Sequence, residues 1–119
     1  MLSKDDLSND TLKHHDFLVD MYEDDYYPKH LVAKIEQILL QMCVQIETNK
    51  PATIDELCQY THPAVEQINE LQDEFYENDS ELETVARESM GGDFDVIAQA
   101  YGFELTGDDL EEIIAPRDW

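Results

Sequence analysis

The feature that most constrains the fold is an apolar stripe at helical spacing near the middle of the chain. The stripe consists of Leu31, Ile35, Ile38, Leu39, Met42 and Ile46. These side chains recur every three or four residues, so a helix places them on one face. Pro28 precedes the stripe, and proline is well suited to the first turn of a helix. The pattern predicts a central helix that ends near residues 49–51.

The segment before this helix is polar at first and then repeats the helical period. Residues 1–10 are expected to be frayed. A first helix is predicted from Asp10 onwards, and its inward-facing side chains are expected to be Leu12, Phe17, Leu18 and Met21. One helix is therefore predicted ahead of the central one.

The segment after Pro51 contains a clear helix start signal. Thr53 and Glu56 form a capping-box pattern for a short helix, which we expect to end at residues 61–63, Thr-His-Pro. A separate helix is then predicted to run to about residue 78. Its inward-facing side chains are expected to be Val65, Ile68, Leu71 and Phe75.

The last third of the chain also reads as helical. Ser80 is a predicted helix cap, and Gly91–Gly92 predicts either a kinked helix or two helices, because paired glycines cost about 2 kcal/mol inside a helix. Thr106 is predicted to cap a final short helix that stops at Pro116. No segment shows sustained strand alternation. We therefore expect an all-α, single-domain bundle of about five to seven helices over residues 1–119.

The chain is strongly acidic, with 29 aspartates and glutamates against seven lysines and arginines and a net charge of −22. Arg87 is the only basic residue between residues 51 and 116. Such a surface repels nucleic acid and anionic membranes, and it attracts basic proteins or cations over long distances. Solubility alone is the plain alternative, although solubility needs far less charge than this. The charge predicts a basic protein partner.

The sharpest polar pattern is an acidic ridge, which we define as Glu66, Glu70, Asp73, Glu74 and Glu77. On a helix these carboxylates lie within about 100° of one another, opposite the apolar side chains. Like charges four residues apart repel each other by about 0.2–0.5 kcal/mol. No lysine or arginine alternates with them along this helix. The ridge is predicted to bind a positively charged partner; a plain solvated face and a metal site are the alternatives.

A second candidate surface combines tyrosines with acidic residues. Tyr22 precedes an acidic run at residues 23–25, and Tyr26 and Tyr27 follow it. Tyrosine is enriched at binding sites because its ring offers a large contact area at a low entropic cost. We predict that this patch contacts the partner, with at least one of the three rings packed in the core.

The residue patterns of common enzymes are weak or missing. Glu70 and Asp73 have the spacing of one half of the paired acidic motif of all-α, magnesium-dependent nucleotide pyrophosphohydrolases, but no second half repeats it. Neither cysteine lies in a metal-binding or catalytic motif, and Cys43 and Cys58 are expected in the core. We predict no catalytic residue, no metal and no cofactor.

A few single residues carry further expectations. The four histidines, His14, His15, His30 and His62, are expected to be surface or cap residues rather than catalytic groups. Arg87 is expected to form an ion pair with Glu83, four residues earlier. Trp119 is expected to fold back over the core.

Several short segments together resemble a known family. They are Met21–Tyr22, Tyr26–Pro28, Leu31–Val32, Thr61–His62, Glu81–Glu88 and Ala115–Trp119. In these segments the chain resembles a family of small acidic bacterial proteins recorded only as a domain of unknown function. The resemblance covers most of the chain. It implies a compact, single-domain bacterial protein, and it supplies no activity and no catalytic residue.

The sequence therefore predicts an interaction protein that binds and neutralises a basic partner. That partner would be a toxin or nuclease, as for immunity proteins, or a nucleic-acid-binding protein occupied by an acidic mimic of nucleic acid. The alternatives are a magnesium-dependent hydrolase of the pyrophosphohydrolase type and a regulatory subunit without activity. The N-terminus lacks the basic and apolar segments of a signal peptide, so a cytoplasmic location is expected. Secretion by a route without a signal peptide stays open.

Overall fold

Two long helices form the centre of the molecule and pack along each other. They are α3 (Lys29–Asn49) and α4 (Ile54–Glu77), in a computed structural model that describes all residues, 1–119. The predicted central helix is confirmed as α3. Its predicted stripe is buried except for Ile38, which is half-buried.

Shorter elements surround this pair. A 3-10 turn (Lys4–Asp6) and helices α1 (Asp10–Lys13) and α2 (Val19–Glu23) precede it, and α5 (Thr84–Ala100) and α6 (Gly107–Ile113) follow. Helix α5 contacts α1 and α2, while α6 contacts both α4 and α5. One core of 30 apolar residues runs through all six α-helices. The structure has six α-helices and no strand, so the predicted all-α bundle is confirmed.

The prediction of one helix from Asp10 through Met21 is wrong, because the chain forms α1 and α2 with a turn between them. At 100° per residue, Leu12 and Met21 would lie on opposite faces of a continuous helix. Splitting the helix lets Leu12, Phe17, Leu18 and Met21 all be buried. The break is made at Leu18, which has a left-handed backbone (φ 54°).

The segment of residues 1–10, which was expected to be frayed, packs against the core and α3. Leu7 is buried in the core. The backbone N–H groups of Ser8 and Asn9 donate to the carboxylate of Glu47 at 2.9 and 3.1 Å. Side-chain amides also hold both chain ends: Gln37 exchanges two hydrogen bonds with the backbone of Leu2. Asn69 does the same with the backbone of Pro116 and Asp118.

The expected helix break at Pro63 is also wrong, since α4 continues through the proline. The apolar stripes on its two sides are in phase and form one face: Leu57, Cys58, Thr61, Ala64, Val65, Ile68, Leu71 and Phe75. A proline inside a helix costs about 3 kcal/mol. Burial of each large apolar side chain returns about 1.5–3 kcal/mol, so a single continuous face outweighs that cost.

The helices in the C-terminal third of the chain also differ from the prediction. Ser80 is not a cap; it is buried in the loop, and α5 begins after Glu83 instead. Helix α5 passes through Gly91–Gly92 without a second start, because Met90, Phe94 and Ile97 are buried on one in-phase face. Of the alternatives of a kinked helix or two helices, the two-helix one is therefore wrong.

Several local signals act as predicted. The side chains of Thr53 and Thr106 accept hydrogen bonds from the backbone N–H groups three residues later. Trp119 folds back and is buried. Both cysteines are buried and free. No helix combines the length and the apolar composition that crossing a membrane requires.

Candidate functional site

The acidic ridge runs along the outer face of α4. Glu66, Glu70, Asp73 and Glu77 are exposed, and Glu74 is half-buried. The opposite face of the same helix is buried against α3 and α6. All five ridge carboxylates lie on α4 after Pro63, on one continuous helix, as the sequence predicted. The ridge is thus a preformed linear array of negative charge.

One ridge residue is neutralised from the neighbouring helix. Nζ of Lys34 on α3 lies 2.6 Å from Oε1 of Glu74, and both side chains are partly exposed. The sequence showed no base alternating with the acids along α4, and the compensating base comes from 40 residues away. Lys34, Glu70 and Glu74 line one groove between α3 and α4. The ridge therefore has one balanced position.

The other ridge carboxylates form no ion pair, although Glu70 shares a groove with Lys34. Only four of the 29 acidic residues in the chain form an ion pair: Asp16, Glu74, Asp93 and Glu111. Glu66, Glu70, Asp73 and Glu77 are not among them. Their repulsion at a spacing of four residues is therefore relieved only by water and salt. This surface would gain free energy from a cationic partner.

The three predicted tyrosines lie in three different environments. Tyr27 is buried, and its hydroxyl oxygen accepts a hydrogen bond from the backbone N–H of Ala86, so its prediction as a partner contact is wrong. Tyr22 is half-buried against the core. Burial and the negative charge of Glu36, which also accepts a hydrogen bond, raise the pKa of Tyr22 to about 12. Tyr26 alone is exposed.

Sequence reasoning missed the residues that complete this surface. Tyr76 lies on the last turn of α4, and its side chain is 55% exposed, more than that of any other aromatic residue. Tyr76, Glu81 and Glu83 line one groove at the end of α4. We call Tyr26, Tyr76, Glu81 and Glu83 the aromatic corner. The sequence did contain a signal for its exposure: Tyr76 lies outside the apolar stripe of α4 and stands between two residues of the acidic ridge.

The same two glutamates act electrostatically on Tyr26. Its pKa is raised by desolvation and by the negative charges of Glu83 and Glu81. Its backbone N–H donates to Oδ1 of Asp24 at 2.9 Å, and its ring packs edge-on against Tyr27 with centroids 5.1 Å apart. Tyr26 is therefore held in place by the loop and by a buried ring.

The glutamates of the corner are not engaged in the fold. Glu83 occupies the N-cap position of α5, but its side chain makes no capping hydrogen bond. The predicted ion pair between Glu83 and Arg87 is also wrong, because Nη2 of Arg87 donates to Oγ1 of Thr84 at 3.2 Å. Neither Glu81 nor Glu83 forms an ion pair. Both carboxylates are free to meet a partner.

A second group of polar side chains is structural rather than exposed. His15 was expected at the surface, but its Nε2 lies 2.8 Å from Oδ1 of the buried Asp93. Burial raises the pKa of Asp93, and hydrogen bonds from His15 and from the backbone N–H of Leu18 offset part of this effect. His62 likewise contacts the backbone carbonyl of Glu112 at 2.7 Å. These groups stabilise the fold and do not form a catalytic arrangement.

The geometry gives little support to a metal site or to a reactive thiol. No three His, Cys, Asp or Glu side chains form a group that could hold a metal ion. Glu70 and Asp73, which have the spacing of a pyrophosphohydrolase half-motif, lie on the outer face of α4 without a matching pair. Burial and the charge of Glu47 raise the pKa of Cys43 to about 12, which keeps this thiol protonated at neutral pH.

Comparison with known proteins identifies the family but no activity. The sequence model of a family of unknown function, DUF5713, matches residues 11–119. The chain belongs to this family. The resemblance to a domain of unknown function is thereby confirmed. No curated protein and no solved structure matches the chain.

The DUF5713 match includes every residue of the acidic ridge and of the aromatic corner. It begins within α1 and leaves out the segment that Glu47 and Gln37 hold against α3. The ridge and the corner are thus part of the family domain.

Proposed function

We propose that this DUF5713 protein binds a basic protein and neutralises it, as an immunity-type inhibitor or as an acidic mimic of nucleic acid. The proposal includes a bacterial, cytoplasmic setting. The binding surface is the acidic ridge with the aromatic corner at its end. The chain acts in this proposal by covering its partner, without catalysis of its own.

The observation that supports this proposal is the placement of uncompensated charge. Glu66, Glu70, Asp73 and Glu77 lie in a row on one rigid helix, exposed and without ion pairs. Aligned charges of one sign steer an oppositely charged protein during encounter and raise its association rate. The exposed rings of Tyr26 and Tyr76 supply apolar contact area at the end of the row.

The hydrolase alternative would need a different arrangement. Magnesium-dependent chemistry requires oxygen ligands from several side chains around one cation. The ridge carboxylates point outwards from a single helix, and no group of three metal ligands forms elsewhere. No observation favours a regulatory subunit over a direct inhibitor.

The test reverses charge on the ridge without disturbing the fold. Glu70→Lys with Glu77→Lys avoids the Lys34–Glu74 pair and turns three repulsive contacts at a spacing of four residues into attractive ones. The matched control is Glu88→Lys with Glu104→Lys, which changes net charge equally on exposed residues of α5 and the loop after it. A basic partner captured from the native cell on the wild-type chain is purified, and its association and dissociation rates are measured.

We expect the ridge variant to bind the partner at least about tenfold more weakly, or about 1.4 kcal/mol. Most of the loss is expected in the association rate, and it should shrink at high salt. Equal binding by the ridge and control variants would leave only bulk acidity and sink the ridge as the site. Failure of the wild-type chain to retain any basic protein would overturn the proposed function itself.

A further inference from the structure

The aromatic corner combines two features that a simple acidic surface lacks. Its two tyrosine rings are exposed, although large aromatic side chains elsewhere in the chain are buried or half-buried. Its two glutamates lie beside one ring and act electrostatically on the other. Glu81 and Glu83 line a groove with Tyr76, and their charges act on Tyr26. A cation that pairs with these carboxylates would therefore lie beside an aromatic face.

One of the two neighbouring helix ends adds to this preference for a cation. The 24-residue helix α4 ends at Glu77, so the negative end of its dipole lies next to the corner. The N-terminus of α5 has the opposite polarity, and the carboxylates of Glu81 and Glu83 lie beside this positive end. Arg87 and Asp118, which have opposite charges, also line the groove.

Of the two basic side chains, arginine fits such a place better than lysine. Its planar guanidinium stacks on aromatic rings and forms paired hydrogen bonds to carboxylates at the same time. It is also less strongly hydrated than the lysine ammonium, so it loses less on leaving water. The acidic ridge offers only charge along α4, so we expect it to bind arginine and lysine side chains equally well.

From this geometry we infer that the aromatic corner is an arginine-selective contact, which stacks a guanidinium of the partner on Tyr26 or Tyr76 and pairs it with Glu81 and Glu83. The inference rests on the proposed function and names the chemistry of its partner: an arginine-bearing basic segment. The ridge then supplies steering, and the corner supplies selectivity.

The experiment compares two peptides of equal length and charge, an oligo-arginine and an oligo-lysine, by calorimetry at low salt. The variant is Tyr26→Leu with Tyr76→Leu, which keeps apolar bulk and net charge while removing both rings. Its melting temperature is measured first. We expect wild type to bind the arginine peptide about two- to fivefold more tightly than the lysine peptide. In the tyrosine variant we expect the two affinities to become equal, with the lysine affinity unchanged.

Each other outcome has a defined meaning. Equal affinity of wild type for both peptides would overturn the arginine-selective corner and leave the proposed function standing. Arginine selectivity that persists in the tyrosine variant would also overturn it, since the preference would then arise elsewhere. If neither peptide binds, the corner and the basic partner are both rejected. A third variant, Glu81→Gln with Glu83→Gln, should lower the arginine affinity more than the lysine affinity; an equal loss contradicts pairing at the corner.

Discussion

Nε2 of His15 lies 2.8 Å from Oδ1 of Asp93, and this contact joins the turn between α1 and α2 to helix α5. The second oxygen of Asp93 accepts the backbone N–H of Leu18 at 2.7 Å. Leu18 has a left-handed backbone, which costs a non-glycine residue about 1–2 kcal/mol. The buried carboxylate therefore stabilises the one strained position that lets the N-terminal apolar residues reach the core.

Replacing Asp93 should destabilise the fold. Asp93→Asn keeps the size of the side chain but leaves only one acceptor oxygen for two buried partners, His15 and the N–H of Leu18. We expect the free energy of unfolding in urea to fall by about 1–3 kcal/mol. Asp95→Asn on the same helix is the control, because Asp95 contacts only Gln99 at the surface. Equal effects of the two substitutions would contradict a structural role for the buried pair.

Glu47 should make the docking of the N-terminal segment depend on pH. Burial alone would raise its pKa, but hydrogen bonds from the Tyr101 hydroxyl and from Ser8 and Asn9 outweigh burial and lower it. A carboxyl whose folded-state pKa is lowered stabilises the fold above its ordinary value of 4.5, and this contribution is lost as the pH falls through the folded pKa.

We expect Glu47→Gln to lose about 1 kcal/mol of unfolding free energy at neutral pH. The difference from wild type should begin to shrink below the ordinary glutamate pKa and approach zero below the lowered folded-state pKa. Urea titrations of both proteins across this range check the prediction. Hydrogen exchange at the amides of Ser8 and Asn9 should speed up in the variant at neutral pH. Unchanged exchange there would show that Glu47 does not hold this segment.

The two glycines inside α5 should be replaceable with a gain in stability. A Cβ added at Gly91 or Gly92 would have no atom within 4 Å, and neither position has a positive φ. Alanine in a helix interior is favoured over glycine by about 0.5–1 kcal/mol. We expect Gly91→Ala and Gly92→Ala each to raise the melting temperature. Gly102→Ala is the contrasting control, because its φ of 92° makes alanine strained, so its melting temperature should fall.

Charge repulsion should make the fold sensitive to salt. With a net charge of −22 and four ion pairs, most carboxylates repel one another across the surface. Salt at about 0.1 M screens exposed charges beyond about 10 Å. We expect the melting temperature to rise between about 10 and 200 mM sodium chloride. A flat curve would mean that a bound cation already compensates the acids, and added magnesium at constant ionic strength would then stabilise further.

Short-range residue patterns are enough to predict the helical class, the central helix, the caps at Thr53 and Thr106 and the acidic ridge. These features depend on residues within a few positions of one another, because helical periodicity and capping act over one or two turns. The same local signals misled at Pro63 and at Gly91–Gly92. There the local cost of continuing the helix through proline or glycine was visible, but the burial of a continuous face against distant helices outweighed it.

Which polar groups are available to a partner depends on the tertiary structure and does not follow from local patterns. It paired Lys34 with Glu74 across 40 residues and His15 with Asp93 across 78. It also buried Tyr27 while leaving Tyr26 exposed beside Glu81 and Glu83. No local pattern carries this information, since the compensation of a charge and the burial of a ring depend on which distant surfaces the core brings together.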